Sequence, residues 1–172
     1  MDRKEINIEK YVSEVKRNMN LKVSEEIIEK DLLLTLILAE FQKKKVIFKE
    51  LIFKGGTLLS RNYLNYHRFS EDLDFVHKDS NELRLMTKKV RGRKIKSFID
   101  VFVLKLKEVA DLLELDFSTN RSDQKYCSII SGRAVYIFRI YYTAERYIKV
   151  EINFVEKIIN KPVELSIKAI TD

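Results

Sequence analysis

The stretch at residues 53–75, FKGGTLLSRNYLNYHRFSEDLDF, constrains the fold of this chain more than any other. It places two consecutive glycines behind a short apolar segment, then a helix-length spacer, and then alternating acidic and apolar residues. Alternation with a period of two is typical of a strand with one polar and one apolar face. The stretch therefore predicts a strand, a glycine turn, a short helix over residues 57–66 and a second strand over residues 72–76.

The second strand carries two aspartates on one face. Asp72 and Asp74 point to one side, and Leu73 and Phe75 to the other, because successive side chains of a strand alternate. Two carboxylates about 6 Å apart repel each other by about 3 kcal/mol at an effective dielectric of about 20. A purely structural domain gains nothing from this pair unless both groups reach water or a cation binds them. Hard oxygen ligands select Mg²⁺ or Mn²⁺, so both aspartates are predicted metal ligands.

The glycine turn predicts an anion site beside these carboxylates. Gly55 and Gly56 have no side chains, so their backbone can approach phosphate oxygens closely. A helix that begins at Thr57 directs its N–H groups toward the same oxygens, and the Thr57 hydroxyl adds a donor. Further residues close enough in sequence to contact phosphate are Lys54, Arg68 and Ser70.

The last third of the chain predicts two further strands. Residues 133–143 are rich in aromatic and β-branched side chains, and residues 147–155 largely alternate, so we expect an antiparallel hairpin. Lys149 and Glu151 share the polar face of the second of these strands. Glu151 is the predicted third carboxylate of a two-metal site, and Lys149 is placed to neutralise phosphate charge.

The remaining segments predict helices on both sides of this unit. We expect an N-terminal helical segment over residues 1–45, in which Ser24 starts a largely buried helix that ends near Lys43. The other expected elements are extended segments at 46–48 and 51–54, a helical region from Asp79 interrupted around Gly92 and resuming over 95–115, and an edge strand within 163–170. The predicted fold class is α+β, with a mixed, mainly antiparallel sheet flanked by helices.

Composition favours one domain over residues 1–172. The chain has one proline and four glycines, which leaves no flexible linker, and 45% of its residues are hydrophobic. No apolar run approaches the roughly 20 residues of a membrane helix, and the N-terminus lacks the apolar core of a secretory signal. A single cysteine excludes an intrachain disulfide. A cytoplasmic protein without a membrane partner is expected.

The net charge of +7 fits a polyanionic partner but does not require one. The densest basic cluster has two readings that both stay open, a nucleic-acid contact and a solvated helix face. It consists of Lys88, Lys89, Arg91, Arg93, Lys94 and Lys96. Neither His67 nor His77 has a metal-ligating neighbour at a regular spacing, so both are expected in structural or surface roles.

Two motifs resemble the AbiEii-type nucleotidyltransferase toxins, within the DNA polymerase beta-like superfamily. The first is KGGT-x-L, an intervening tyrosine, R-x-S and EDLDF over residues 54–75, and the second is IKVEINF over residues 148–154. The resemblance implies a mixed sheet flanked by helices, metal binding by Asp72 and Asp74, and phosphate binding at the glycine turn. It also implies a role for Lys149 and Glu151, a nucleoside triphosphate (NTP) substrate and, as an expected partner, an antitoxin protein. Family members usually continue into a helical C-terminal region with a basic residue and spaced aspartates, which this sequence lacks.

Three functions follow from these observations. The first is Mg²⁺- or Mn²⁺-dependent transfer of a nucleotide from an NTP to an acceptor hydroxyl on RNA, tRNA or protein, in which Glu151, or Asp74 with it, orients and deprotonates the acceptor. The second is a non-catalytic module that binds RNA or a protein through the same fold. The third is kinase-like transfer of a phosphate alone. The three acids Asp72, Asp74 and Glu151 favour nucleotide transfer, because a site that binds no cation has no physical reason to hold adjacent like charges.

Overall fold

A five-stranded sheet with helices packed against it forms the centre of the molecule. The structure is a computed structural model that describes residues 8–19, 24–44, 48–62, 72–164 and 166. Its helices are α1 (Ile8–Met19), α2 (Glu25–Lys43), α3 (Gly55–Asn62), α4 (Ser80–Leu85) and α5 (Lys88–Leu112). Its strands are β1 (Leu51–Lys54), β2 (Asp72–His77), β3 (Cys127–Ile130), β4 (Val135–Tyr141) and β5 (Tyr147–Asn153).

The strand order is β1-β2-β5-β4-β3, and only the central pair β2–β5 is parallel. The predicted hairpin is confirmed, since β4 and β5 are antiparallel and the Tyr142 N–H donates to the Arg146 carbonyl across the turn at 3.0 Å. The prediction of an α+β fold with a mainly antiparallel, helix-flanked sheet is also confirmed. Strand β3, which pairs with β4 at one edge, was not predicted.

One face of the sheet forms the hydrophobic core. Leu73 and Val150 are fully buried on the two central strands. Helix α2 packs on this face through Phe41, whose ring centroid lies 6.1 Å from that of Phe75. Helix α5 packs beside it through Phe102, 5.4 Å from Phe138. Because side chains alternate along each strand, the polar residues of β2 and β5 lie on the opposite face.

Helix α2 begins and ends where the sequence predicts. Ser24 occupies the N-cap position, two glutamates lie in the first turn, and the helix ends at Lys43. Among the described residues, however, no backbone N–H donates a capping hydrogen bond to the Ser24 side chain, so the buried apolar face holds this helix in place.

A buried ion pair joins α2 to α3. The Arg61 guanidinium lies 2.8 Å from the Asp31 carboxylate, and it also donates to the Asp31 carbonyl at 2.9 Å and the Thr35 hydroxyl at 2.8 Å. Both charged side chains are almost inaccessible to solvent. Burial raises the pKa of Asp31 more than the neighbouring Arg61 lowers it. The pair therefore anchors the short helix that follows the two glycines.

The predicted helix break at Gly92 is wrong. Helix α5 runs unbroken through Gly92. The break lies instead at Met86 and Thr87, between α4 and α5, and the Thr87 side chain caps α5 by accepting from the Val90 N–H. A lone helical glycine costs only about 0.5–1 kcal/mol. The buried face that includes Ile95, Ile99 and Phe102 outweighs this cost.

Replacing Gly92 with alanine should stabilise the protein by about 0.5–1 kcal/mol, because the substitution restricts the unfolded chain and adds no clash. Apart from its chain neighbours and the nearby backbone of the same helix, no described residue has an atom within 4 Å of the position that a Cβ would take. Chemical denaturation would measure the change. A loss of stability would show that the helix is not continuous here.

Other boundaries differ from expectation. Helix α3 begins at Gly55 and not at Thr57, and Phe48 is not in a strand but stacks on Phe41 with centroids 3.7 Å apart. Val163 is exposed and outside any strand, and most of the predicted edge strand falls outside the described residues, as do Val46 and Tyr66.

Candidate active site

The parallel pairing of β2 with β5 brings the predicted site residues together. Asp74 is the register partner of Glu151, and Asp72 is the partner of Lys149. Neighbouring strands lie about 4.8 Å apart, so the four side chains form a compact square on the open face of the sheet. Residues almost 80 positions apart in sequence are therefore adjacent in the fold.

Lys149 lies between two of the acids. Its ammonium nitrogen is 2.8 Å from a carboxylate oxygen of Asp72 and 3.7 Å from one of Glu151. Burial lowers the pKa of Lys149, but the hydrogen bond to Asp72 and the charges of all three acids raise it by more, so the net shift is upward. Lys149 consequently stays cationic at neutral pH and offsets part of the local negative charge.

Asp74 is the least compensated acid of the group. Among the described residues, none forms a hydrogen bond or an ion pair with the Asp74 carboxylate. Burial raises the pKa of Asp74 most, the charges of Glu151 and Asp72 raise it further, and Lys149 and Lys54 lower it by less. A raised carboxylate pKa means that the ionised form is disfavoured by its surroundings. A bound cation would relieve this electrostatic penalty.

Gly55 contacts the Asp74 carboxylate directly. Its φ angle is +83°, a conformation that favours glycine, and a Cβ at this position would lie 2.5 Å from Asp74 Oδ2. The first residue of α3 therefore rests against the carboxylate. As a result, the glycine turn and the predicted metal ligand are parts of one site.

A Gly55→Ala substitution should lower catalytic activity by about a hundredfold, because the new methyl group displaces Asp74. It should also destabilise the fold by more than about 1 kcal/mol. Gly132→Ala is a matched control, since Gly132 has φ +64° but no atom within 4 Å of the added Cβ. The control measures backbone strain alone, so equal losses of stability would argue against the contact with Asp74.

Lys54 and Thr57 lie where β1 runs into α3, next to Asp74. Lys54 is the β1 partner of Asp74, and its ammonium group is 2.8 Å from the carboxylate of Glu156. The buried Thr57 hydroxyl donates to the carbonyl oxygen of Asp72. That hydroxyl therefore fastens the start of α3 to the start of β2 and is not free to bind phosphate. Two other predicted residues, Arg68 and Ser70, lie outside the described residues.

The comparisons with known proteins agree with this geometry. A family profile described as nucleotidyl transferase AbiEii toxin, type IV TA system, matches residues 37–172, which include the glycine turn and all five strands. The chain belongs to the AbiEii family. The resemblance seen in the sequence is thus confirmed, and the family is one of nucleotidyltransferase toxins from type IV toxin–antitoxin systems. No curated protein and no solved structure matched the chain. Within its described part, this AbiEii protein has no helix long and apolar enough to span a bilayer.

Two side chains that the sequence did not single out border the site of this AbiEii protein. Glu156 pairs with Lys54 and accepts from the Asn153 amide at 3.3 Å. Arg139 is the β4 partner of Lys149 and donates to the Ser128 hydroxyl at 2.9 Å. The place of Arg139 follows from strand register and that of Glu156 from the segment that leaves β5, and linear spacing reveals neither.

A second acidic group lies at the other end of β2. Glu50, His77 and Asp79 each offer a ligand atom within 4.8 Å of the others. No regular sequence spacing links His77 to these acids, but the β1–β2 pairing brings Glu50 beside it, and His77 lies at the end of its strand. In the described part of the chain, the oxygens of Asp72, Asp74 and Glu151 do not all come this close, since Lys149 lies among them.

Existing contacts already engage this second group. The Nδ1 atom of His77 accepts the Asp79 N–H at 3.2 Å, and Lys78 lies 2.7 Å from the Glu50 carboxylate. Burial lowers the pKa of His77 more than the nearby acids raise it. Neutral His77 also packs edge-on against Phe98, with centroids 4.8 Å apart. These contacts suffice to explain the group as a link between β2 and the segments around it.

Proposed function

We propose that this protein transfers a nucleotide from an NTP to an acceptor hydroxyl in a reaction that depends on Mg²⁺ or Mn²⁺. The observation that carries the proposal is the contact between Gly55 and Asp74, because it joins an anion-binding turn to a carboxylate cluster. Membership of the AbiEii family supports the reaction class.

The donor set fits divalent ions. Asp72, Asp74 and Glu151 provide only carboxylate oxygens, which are the ligands that Mg²⁺ and Mn²⁺ prefer. Burial is the main cause of the raised pKa of Asp74, and the charges of Glu151 and Asp72 add to it, so a bound cation would favour the ionised form. Ions bound there would activate the attacking hydroxyl and neutralise the triphosphate and the leaving pyrophosphate.

The triphosphate lies, in this proposal, against the start of α3. Backbone N–H groups and the positive end of the helix dipole at Gly55, Gly56 and Thr57 face its oxygens. Lys54 and Lys149 add positive charge on the carboxylate side. Binding of the triphosphate then requires both lysines to exchange a carboxylate partner for phosphate, Lys54 from Glu156 and Lys149 from Asp72. Arg68 and Ser70 complete the proposed phosphate contacts.

The chemical step is a displacement at the α-phosphorus. The acceptor oxygen forms a bond to this phosphorus as the bond to the bridging oxygen breaks, and pyrophosphate leaves with that electron pair. The acceptor proton passes to Glu151, or to Asp74 acting with it.

The proposed acceptor is an RNA, with tRNA included, and a protein hydroxyl is the alternative. The description of the family as a toxin of a type IV system supports a protein antitoxin as the partner that limits this activity.

Labelling with two forms of ATP and GTP tests the reaction type. When the purified protein, Mg²⁺ and a cell extract are mixed with α-³²P-labelled NTP, a labelled macromolecule should form and pyrophosphate should be released. Label from γ-³²P-NTP should not be transferred. Transfer of the γ label would instead establish a kinase-like reaction. No transfer from any NTP by the folded protein would contradict the proposal.

A further inference from the structure

A basic cleft lies away from the candidate active site. It has a volume of about 640 Å³ and is lined by the first part of α5, by Arg121 and Ser122, and by residues around the β3–β4 turn. Tyr136 on β4 forms part of its wall and packs on the core rings of Phe138 and Phe154. The cleft therefore opens beside the core face of the sheet, whereas Asp72, Asp74 and Glu151 lie on the opposite face.

The lining is almost wholly cationic. Seven of the thirteen residues that line the cleft are lysine or arginine, and none of these described residues is acidic. Five of the seven come from α5, and the other two are Arg121 and Arg133. In the part of the chain that the structure describes, Arg121 alone among them forms an ion pair, to Asp100 at 2.6 Å. Such a concentration of positive charge in a cleft attracts anionic ligands.

We propose that this cleft binds the phosphate backbone of a nucleic-acid strand. From Lys88 to Lys96, helix α5 extends about 12 Å. In a base-stacked strand the charges advance by about 3.4 Å along the helix axis, so this length spans three or four successive phosphates of a stacked strand. The glycines at 92 and 132 leave room for a backbone to approach, since nothing lies within 4 Å of the position of either Cβ.

An acidic protein segment fits the cleft less well. Protein interfaces are built around apolar and aromatic residues and are depleted of lysine. The apolar lining here consists of Ile95, Ile129 and Tyr136, and two of these are buried in the core. Phosphate contacts, by contrast, come mostly from lysine and arginine. The composition of the lining therefore favours nucleic acid.

The basic cluster of the sequence is divided by this geometry. Lys94 is the one member that does not line the cleft, because it lies about 200° around α5 from Gly92. The two open readings of the cluster therefore apply to different residues: Lys94 belongs to a solvated helix face, and the other five belong to the binding site. Arg121 and Arg133 join them through the fold.

Binding of fluorescein-labelled RNA tests the proposal. The RNA should have about 20 nucleotides, longer than the roughly 4–16 that single-strand-binding folds cover. The test variant is Arg93→Gln/Lys96→Gln/Arg133→Gln. The control removes the same charge outside the cleft, as Lys94→Gln/Lys157→Gln/Lys161→Gln. All six residues are exposed, so both variants should keep the wild-type melting temperature.

The cleft variant should bind RNA at least about tenfold more weakly in fluorescence anisotropy, and the slope of log K against log salt should become shallower by about two. The control should bind within about twofold of wild type. Equal losses in the two variants, or no binding by wild type, would overturn the proposal. Displacement of the RNA by polyglutamate at equal charge concentration would overturn it in favour of an acidic protein.

Two further binding experiments identify the type of nucleic acid and test the cleft independently of the proposed reaction. DNA of the same sequence identifies whether the strand is RNA or DNA, since both present the same phosphate chemistry. Asp74→Asn should bind RNA as wild type does, without metal or NTP. Only the inference that the bound strand is the nucleotide acceptor rests on the proposed function. If the protein binds RNA normally but transfers no α label, the proposal for the cleft stands and the proposed nucleotidyl transfer is refuted.

Discussion

Replacing Asp74 with asparagine should abolish nucleotidyl transfer, with kcat/KM falling by about a thousandfold or more. The substitution keeps the shape of the side chain, so the contact with Gly55 is preserved. It removes a carboxylate that the proposed reaction needs both to hold metal and to accept the proton. Incorporation of α-³²P label, measured over time, gives the rate. A variant that retains more than about a tenth of the wild-type rate would exclude this role for Asp74.

The same variant should be more stable than wild type, by roughly 1 kcal/mol near neutral pH. The pKa of Asp74 is raised in the folded protein, which means that folding disfavours its ionised form. The penalty is absent when the group is protonated and grows as pH rises through the raised pKa. The stability advantage of Asp74→Asn should therefore shrink as pH falls toward the ordinary carboxylate pKa of 3.8.

Asp79→Asn is the matched control for both the transfer activity and the stability measurement. Asp79 belongs to the second acidic group, with Glu50 and His77, at the far end of β2. The control should keep its transfer activity. Loss of activity in Asp79→Asn, with Asp74→Asn unaffected, would move the metal site to that second group.

Arg61→Met should cost the fold about 3–5 kcal/mol, the largest loss of stability that we predict. The substitution leaves the Asp31 carboxylate buried between α2 and α3 without its partner. It also removes the Arg61 donors to the Thr35 hydroxyl and the Asp31 carbonyl, although the Thr35 hydroxyl still donates to that carbonyl. Because the pKa of Asp31 is already raised by burial, loss of Arg61 raises it further. The variant should therefore recover stability as pH falls and Asp31 becomes neutral.

The double variant Asp31→Leu/Arg61→Met distinguishes the cost of leaving a buried charge unpaired from the cost of lost packing. Removing both charges should restore most of the stability, since an apolar pair of similar volume avoids the desolvation penalty. Urea denaturation of wild type, both single variants and the double variant gives the coupling energy. Strictly additive losses would show that the two side chains do not interact as the structure indicates.

The sequence predicts which side chains share the candidate active-site face of the sheet, because strand alternation is a local property. Asp72 and Asp74 share a face whichever strand lies beside them, and the same holds for Lys149 and Glu151. The parallel pairing that aligns Asp74 with Glu151 is a long-range contact. Here the sequence predicted neighbouring strands but not their register, which the structure provides.

The errors have equally specific causes. A lone glycine does not break a helix whose buried face is long enough to outweigh its cost, and the buried face of α5 begins at Ile95, three residues after Gly92. The contacts of Arg61 with Asp31 and of Glu50 with His77 join residues 30 and 27 positions apart, so no spacing rule detects them. The basic cleft could be predicted only in part, since five of its cations lie within residues 88–96 and Arg121 and Arg133 are added only by the fold.

The most direct test of the central claim is a crystal structure with Mn²⁺ and a non-hydrolysable NTP. The claim is that the acids of β2 and β5 bind divalent ions beside the glycine turn. We predict anomalous Mn²⁺ peaks at coordination distance from Asp72, Asp74 and Glu151, with the triphosphate against Gly55 and Gly56. Mn²⁺ at Glu50, His77 and Asp79, or a triphosphate bound away from α3, would contradict it.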